Sequence, residues 1–191
     1  RCFKKEGFRM KGGQVIQTFT LKDGRKAVIR APRWEDLDDL MDFINSLVRE
    51  NAPILRETEV NRIEEAEWLA RQLVGREKGE LIHFVAEVDG KVVASAEIRK
   101  RKGHQKHVGV LGIAVKSGYR RLGIATKLIE ALLKEAKKQG LKVIILDVYE
   151  RNLPALNLYK RMGFKEVGRI PKAVYWKGEY IDNVKMARIL E

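Results

Sequence analysis

Cysteine is almost missing from this 191-residue sequence: Cys2 stands alone, so no internal disulfide can form and no thiolate metal cage can be assembled. Histidine is nearly as scarce, and His83, His104 and His107 do not fall at zinc-ligand spacings, so no metal is expected. No apolar run approaches the length of a membrane span. The opening residues, RCFKKEGFRMKGG, are basic but lack the apolar stretch of a secretory signal. These absences lead to the expectation of a cytoplasmic protein with no membrane partner. Internal repeats and low-complexity tracts are also missing.

What is present describes a folded globular chain, with 45% hydrophobic and 34% charged residues. The length suits one domain, expected over 21–191, preceded by a basic extension over 1–20. A net charge of +13 fits either a polyanionic partner or a solvated lysine-rich surface. The basic residues are scattered and no nucleic-acid motif accompanies them, so nucleic acid is not the expected partner.

Residues 15–30, VIQTFTLKDGRKAVIR, place two β-type runs around Asp23-Gly24 and predict a hairpin. Leu37, Leu40, Met41, Ile44, Leu47 and Val48 recur at helical spacing, and a second helical stretch covers about 63–73, ending near Gly75. Three strands follow, LIHFVAEV, KVVASAEIRK and HVGVLGIAV, joined by polar turns into a meander. The stripe Leu128, Ile129, Leu132, Leu133 and Ala136 predicts a third helix, stopped by Gly140. Then come KVIILDV, a strand apolar enough to be covered on both faces, the short helix PALNLYKRM, and the closing strands FKEVGRI and YIDNVKMARIL. The expected fold class is α/β (α+β): a mixed, mostly antiparallel sheet of about seven strands flanked by helices, with one parallel step over 107–148.

GYRRLGIATKLIEAL, residues 118–132, carries two arginines and a glycine where strand passes into helix. The first amides of a helix lack intrahelical partners and face outward at the positive end of its dipole, so such a turn can hold phosphate. Gly123 would let a ligand reach bare backbone, Ala125 keeps the next exposed position small, and Arg120 and Arg121 add charge. A P-loop would need Lys-Ser/Thr where Ile124 and Ala125 stand, and G-x-G-x-x-G is absent. Arg-x-x-Gly-x-Ala alone is equally an ordinary helix start.

Arg120-x-x-Gly123-x-Ala125 after LGIAV, joined to Asn152-x-x-Ala155-x-x-x-Tyr159-x-x-x-Gly163-Phe164, resembles the two central motifs of the GNAT acetyltransferase superfamily. The resemblance covers 28–190, with 30–44 matching the usual first strand and helix. It implies splayed parallel strands at a cofactor site and acetyl-CoA as co-substrate. The pyrophosphate would lie on the amides of Arg121, Leu122, Gly123, Ile124, Ala125 and Thr126, and the pantetheine along Ile113, Ala114 and Val115. Asn152 would hold the amide arm, or serve only as a turn or cap residue. Tyr159 would act on the departing thiolate as catalytic acid, though such a tyrosine outside the motif more often packs. Gly109 and Gly112 mark either a bulge that bends the strand away or close packing.

The implied reaction is attack of an amine on a thioester, with strand N–H groups on the developing oxyanion. Many relatives place a glutamate in the strand before the turn, where this chain has Gly109, Val110 and Leu111. Candidate bases elsewhere are Glu97, His107, Asp147, Glu150 or a water relay, and each reads equally as a surface charge. Deprotonating an alkyl amine at neutral pH costs about 4.6 kcal/mol and an α-amine only about 1 kcal/mol. A weak base therefore favours a peptide N-terminus, an amino acid or a similar small amine as acceptor. The first two helices and KAVYWKGEYID, with Tyr175, Trp176, Tyr180 and Asp182, are the expected walls of the acceptor pocket. A fold that binds cofactor with weak catalysis, and a basic ribosome- or nucleic-acid-associated protein with an arm over 1–11, are the competing readings. A homodimer is left open.

Overall fold

The computed structural model describes residues 11–191. Most of the basic arm over 1–11 therefore lies outside the described residues. Within the stretch assigned to the extension, β1 (Val15–Thr20) already belongs to the sheet, pairing antiparallel with β2 (Lys26–Arg30). Their connection is a five-residue loop closed by the Leu21 N–H on the Arg25 carbonyl (2.8 Å), with Gly24 at φ +90°.

After β2 come α1 (Leu37–Arg49) and α2 (Arg62–Glu77), then β3 (Leu81–Val88), β4 (Lys91–Lys100) and β5 (Val108–Val115). Asp89 and Gly90 join β3 to β4 with φ of +51° and +74°, the pair of left-handed residues that a two-residue hairpin requires. The second half is α3 (Ile124–Lys138), β6 (Val143–Tyr149), α4 (Leu153–Arg161), β7 (Lys165–Trp176) and β8 (Glu179–Ile189). Eight strands form one sheet in the order β1-β2-β3-β4-β5-β6-β8-β7, and only β5 and β6 run parallel.

Alternation along the strands sorts the helices onto two faces. Ile82, Phe84 and Ala86 of β3 point into the main core with Leu128, Ile129 and Leu132 of α3. Val85, between them, points the other way and packs with Leu37 and Leu40 of α1 and Leu69 of α2. β3 is accordingly buried on both faces, at seven of its eight positions.

The structure settles the roles of two glycines, one against the sequence reading and one between its two alternatives. α2 does not stop at Gly75: that residue is an interior helical position whose missing Cβ lets the helix approach the Leu81 side chain, and the chain turns at Gly79, φ +69°. Gly109 marks no bulge, because β4 and β5 stay in continuous register from Lys100↔Gly109 to Ala94↔Val115. A Cβ there would lie 2.4 Å from the Ile98 Cγ2, so close packing accounts for the glycine.

One buried ion cluster ties β2 to the start of α1. Arg30 holds Asp36 with two bonds of 2.7 and 2.8 Å and Glu87 of β3 with a third of 2.8 Å, while the Arg33 N–H adds 2.9 Å to Asp36. Arg30 and Asp36 are both 4% exposed, so neither charge can turn to water if its partner is removed. Arg30→Ala should lower the unfolding free energy by about 3–5 kcal/mol, measured from denaturant midpoints. The paired change Arg30→Met with Asp36→Leu should recover most of that loss, and a single-variant loss under about 1 kcal/mol would contradict this account.

Candidate active site

β5 and β6 pair over just three positions, Val108↔Val143, Gly109↔Ile144 and Val110↔Ile145. Beyond Val110 the two strands part, although β5 keeps its β4 partner as far as Val115. The main chain of Ile113, Ala114 and Val115 therefore has one open edge, with N–H and C=O groups that β6 no longer satisfies. Such an edge can accept an amide-bearing chain as an extra strand.

The turn after β5 prepares the second feature. Gly118, Arg121 and Gly123 all have positive φ, at +83°, +61° and +96°, and Gly123 is the N-cap of α3. Gly123 has no side chain to cap with, and the first helical bond is Lys127 N–H to the Gly123 carbonyl. The amides of Ile124, Ala125 and Thr126 are thus left for an anion. Arg121 is an exposed, left-handed non-glycine residue, a conformation that costs of order 1 kcal/mol and is concentrated at functional turns. Arg120 is less free than its sequence suggests: its Nε donates to the Val115 carbonyl (2.9 Å) and its Nη2 bonds Glu50 at the end of α1.

Two clefts meet at the parting. One, of about 800 Å³, is bordered by Ile113, Ala114, Val115, Arg120, Arg121, Gly123, Ile124, Ala125, Thr126, Asn152 and Tyr159. Eleven of the twelve predicted site residues are gathered there. Leu122 is not among them; its side chain packs against the main core and its carbonyl accepts the Lys22 N–H at 3.4 Å. Lys22 itself, from the β1–β2 loop, borders the cleft and was not anticipated. Only the sheet order brings that loop to the head of α3.

Asn152 caps α4, its Oδ1 accepting the Ala155 N–H at 3.3 Å, so the cap role and a place on the cleft wall coexist. Tyr159 is 7% exposed and sets its ring edge against Phe164, 5.9 Å between centroids. Burial pushes its hydroxyl up to about 12, which keeps the proton on oxygen through the physiological range.

The second cleft, of about 840 Å³, opens on the α1–α2 face and shares Ile113, Ala114, Asn152 and Tyr159 with the first. Its floor is a row of residues on one face of the sheet: Ser95 and Glu97 of β4, Gly112 of β5, Asp147 of β6 and Asn183 of β8. Glu97 sits directly across from Gly112, and a Cβ on Gly112 would touch only the Glu97 Cγ, at 4.0 Å. The glycine leaves the carboxylate uncovered. Burial raises the Glu97 pKa, opposed by Arg99, whose Nη2 is 3.4 Å away.

Among the other candidate bases, Asp147 is in this cleft but engaged by Lys185 (2.7 Å) and Asn183 (2.9 Å). Glu150 lies outside it, accepting the Asp182 N–H at 2.8 Å, and His107 is exposed at the opposite end of β5. Of the anticipated aromatic wall, Tyr175 and Tyr180 stack on each other in solvent and Trp176 bonds the Asn51 carbonyl; Ala173 and Val174 of that hairpin line the cleft instead.

Three further groups around this cleft were not anticipated. The Ser95 hydroxyl is 2.8 Å from Nε2 of buried His83, whose Nδ1 has no partner among the described residues. Burial, reinforced by Arg76 and Arg99, drives His83 down to about 3, so the ring is neutral. A buried lone pair left bare costs less than a bare N–H, which assigns the proton to Nε2 and leaves the Ser95 hydroxyl hydrogen available to the cleft. Glu65, on α2, is 5% exposed. Burial holds its carboxyl up to about 7, with Arg56 pulling the other way.

Among the described residues no group of three or more His, Cys, Asp or Glu could hold a metal ion, and no helix is long and apolar enough to cross a membrane. Residues 41–164 match the acetyltransferase (GNAT) family. The chain is 34% identical over 173 residues to an N-alpha-acetyltransferase of Sulfurisphaera tokodaii, covering 83% of this chain and 91% of that one. Its fold is similar to a ribosomal-protein-alanine N-acetyltransferase from Brucella melitensis, with TM-score 0.75 and 28% identity over 85% of this chain and 99% of the other. It is similar as well to a phosphinothricin acetyltransferase from Sinorhizobium meliloti solved with acetyl-CoA, with TM-score 0.76, 18% identity and coverage of 86% and 88%.

An acid whose pKa is higher folded than unfolded loses the protein stability as pH rises between those two values. For Glu65 the window runs from about 4.5 to about 7. Glu65→Gln should therefore raise the Tm at pH 8 by roughly 2–6 °C and leave it nearly unchanged at pH 4.5. A lower Tm for the variant at pH 8, read by scanning calorimetry, would show that the carboxylate stabilises the fold.

Proposed function

Because the chain belongs to the GNAT acetyltransferase family and is an acyl-CoA-dependent N-acetyltransferase, we propose that it acetylates α-amines, a peptide N-terminus before a free amino acid, with Glu97 as base and Tyr159 as donor to the leaving sulfur. The observation that carries this reading is the meeting of two clefts at the β5–β6 parting, one with free phosphate donors and one with an uncovered carboxylate. The name of the Sulfurisphaera relative, an N-alpha-acetyltransferase, supports the choice of acceptor.

The residues present fit the co-substrate. Free amides at Ile124, Ala125 and Thr126 suit its pyrophosphate, Arg121 and Lys22 add positive charge, and the open edge at Ile113, Ala114 and Val115 suits its amide arm. Bound there, acetyl-CoA supplies an activated acyl group. Glu97 faces the acceptor cleft, and burial raises its pKa above the ordinary carboxylate value, the direction that makes it a better proton acceptor. The free N–H groups on the open edge of β5 are donors for the acyl oxygen. Tyr159 keeps its proton and stabilises the sulfur by hydrogen bonding. Complete transfer from a group near 12 to a thiolate near 8.5 would run uphill by about 5 kcal/mol, so donation rather than transfer is its role.

Acetyl-CoA should raise the Tm, and free-thiol release over a panel of peptides, amino acids and polyamines should be fastest with N-terminal α-amines. Tyr159→Phe should lower kcat by about 10–100-fold with the acetyl-CoA Kd changed less than about threefold. The pH profile of kcat/KM should fall on the acid side as Glu97 takes up a proton, and Glu97→Gln should lose that limb along with most turnover. Polyamines as sole acceptors, or an acid limb that survives in Glu97→Gln, would overturn the assignment.

A further inference from the structure

Five carboxylates border the acceptor cleft, from α2, β4 and β6, and three of them have a cation of their own. Asp147 has Lys185 at 2.7 Å, Glu97 has Arg99 at 3.4 Å, and Glu67 has Arg71 at 4.0 Å. Glu64 accepts the Asn61 N–H at 2.8 Å, whereas Glu65 has no hydrogen bond and no ion pair among the described residues, yet it is the most deeply buried of the five.

Its position does not supply a local reason for the charge. Glu65 is in the first turn of α2, where a carboxylate can serve the helix N-terminus. That end is already satisfied: the Asn61 side chain accepts the N–H groups of Ile63 and Glu64, Glu64 returns a bond to the Asn61 N–H, and the Asn61 carbonyl accepts the Glu65 N–H. On the inner stripe of α2 Glu65 falls in line with Leu69 and Gln72, where an apolar residue would bury without penalty. Leu40, Ile44 and Trp68 line the same cleft, and Arg56 acts on Glu65 without forming an ion pair.

The surrounding segment has the same sign. Residues 35–67 hold eleven acidic and three basic side chains in a chain of net charge +13. Most of those acids are neutralised nearby, as Asp36 is by Arg30, Asp38 by Arg62 and Asp39 by Lys91. Of the acids that border the cleft without an ion pair among the described residues, Glu64 is used by the Asn61 N–H and Glu65 is not used at all.

We propose that Glu65 is the recognition site for a second cationic group on the acceptor, so that favoured acceptors are α-amines with a lysine- or arginine-type charge within two residues of the reacting nitrogen. This rests on the α-amine reading above. Glu97 on the sheet floor takes the reacting nitrogen beside the strand parting, and Glu65 on the helical wall takes the next charge along. A cleft of about 840 Å³ has room for both. A cation that arrives with the acceptor completes the ion pair that the protein leaves unmade, and an uncharged side chain of the same length does not.

The test uses the full chain with acetyl-CoA and matched peptides that have lysine, norleucine or glutamate at the first or second residue. With the wild-type protein, lysine at one of those positions should exceed norleucine by about tenfold in kcat/KM, chiefly through KM, and glutamate should be poorest. In Glu65→Gln the lysine-to-norleucine ratio should fall to within about twofold, with the acetyl-CoA thermal shift as the check on folding. Equal use of the three peptides by the wild-type protein overturns the inference and leaves the α-amine reading standing. A lysine preference that survives in Glu65→Gln also overturns it, and failure to acetylate any peptide removes both.

Discussion

The parting of β5 from β6 after the third residue pair is the constraint on which the site depends. A continued ladder would satisfy the main-chain groups of Ile113, Ala114 and Val115 within the sheet. There would then be no open edge, no passage between the two clefts, and no access from Glu97 to an acyl group at the strand. The parting has support on either side. β5 remains anchored to β4 along its whole length, β6 is anchored to β8 over seven pairs, and Tyr159 of α4 lies buried beside the gap. The unpaired edge is thus held open by two strands that are each fully paired elsewhere.

Buried charge is handled in two ways in this molecule. The Arg30–Asp36–Glu87 cluster is closed, every strong donor matched at under 3 Å, and it fixes where α1 leaves the sheet. Around the cleft two charges are treated differently, although Asp147 there is matched by Lys185 and Asn183. Glu65 has no partner among the described residues, Glu97 has only a long contact to Arg99, and burial raises both carboxyl pKa values. His83 and Tyr159 are held neutral by the same loss of water. The two carboxyls destabilised by burial both border a cleft, where a ligand could reach them.

Local features were legible in the sequence, and features made by register were not. The helical stripes of α1 and α3, the Asp89-Gly90 turn and the continuous apolar run of β6 depend on neighbours along the chain, and all appear where the pattern placed them. The turn before α3 and Tyr159, which the resemblance singled out together because two motifs stood at a fixed separation, do border one cleft. Gly75 misled because glycine's tolerance for a helix end and its service to close packing look alike in one dimension; contact with Leu81 decides between them. The pairing of Glu97 with Gly112 spans the β4–β5 connection, so it depends on where that loop closes the ladder, which no local pattern states. Glu65 did leave a trace: with Leu69 and Gln72 it occupies the inner stripe of α2, and charged or polar residues on a buried stripe signal either a partner or a ligand.

The division between floor and wall has a consequence for how such a site can change its acceptor. The floor is sheet, where Ser95 and Glu97 are fixed by pairing on both sides and Gly112 by its pair with Glu97, and an altered residue disturbs its cross-strand neighbours. The wall is a helical pair joined to the sheet through Leu37, Leu40, Leu69 and Val85, and its cleft-facing positions such as Glu65 make no bond to the floor. Substitution at 65 could therefore change that wall without moving Glu97, the open edge of β5 or the turn before α3. On the roles proposed for Glu97 and Glu65, chemistry would reside on the rigid element and selection on the one that tolerates replacement, a division by which a single backbone could serve many amines.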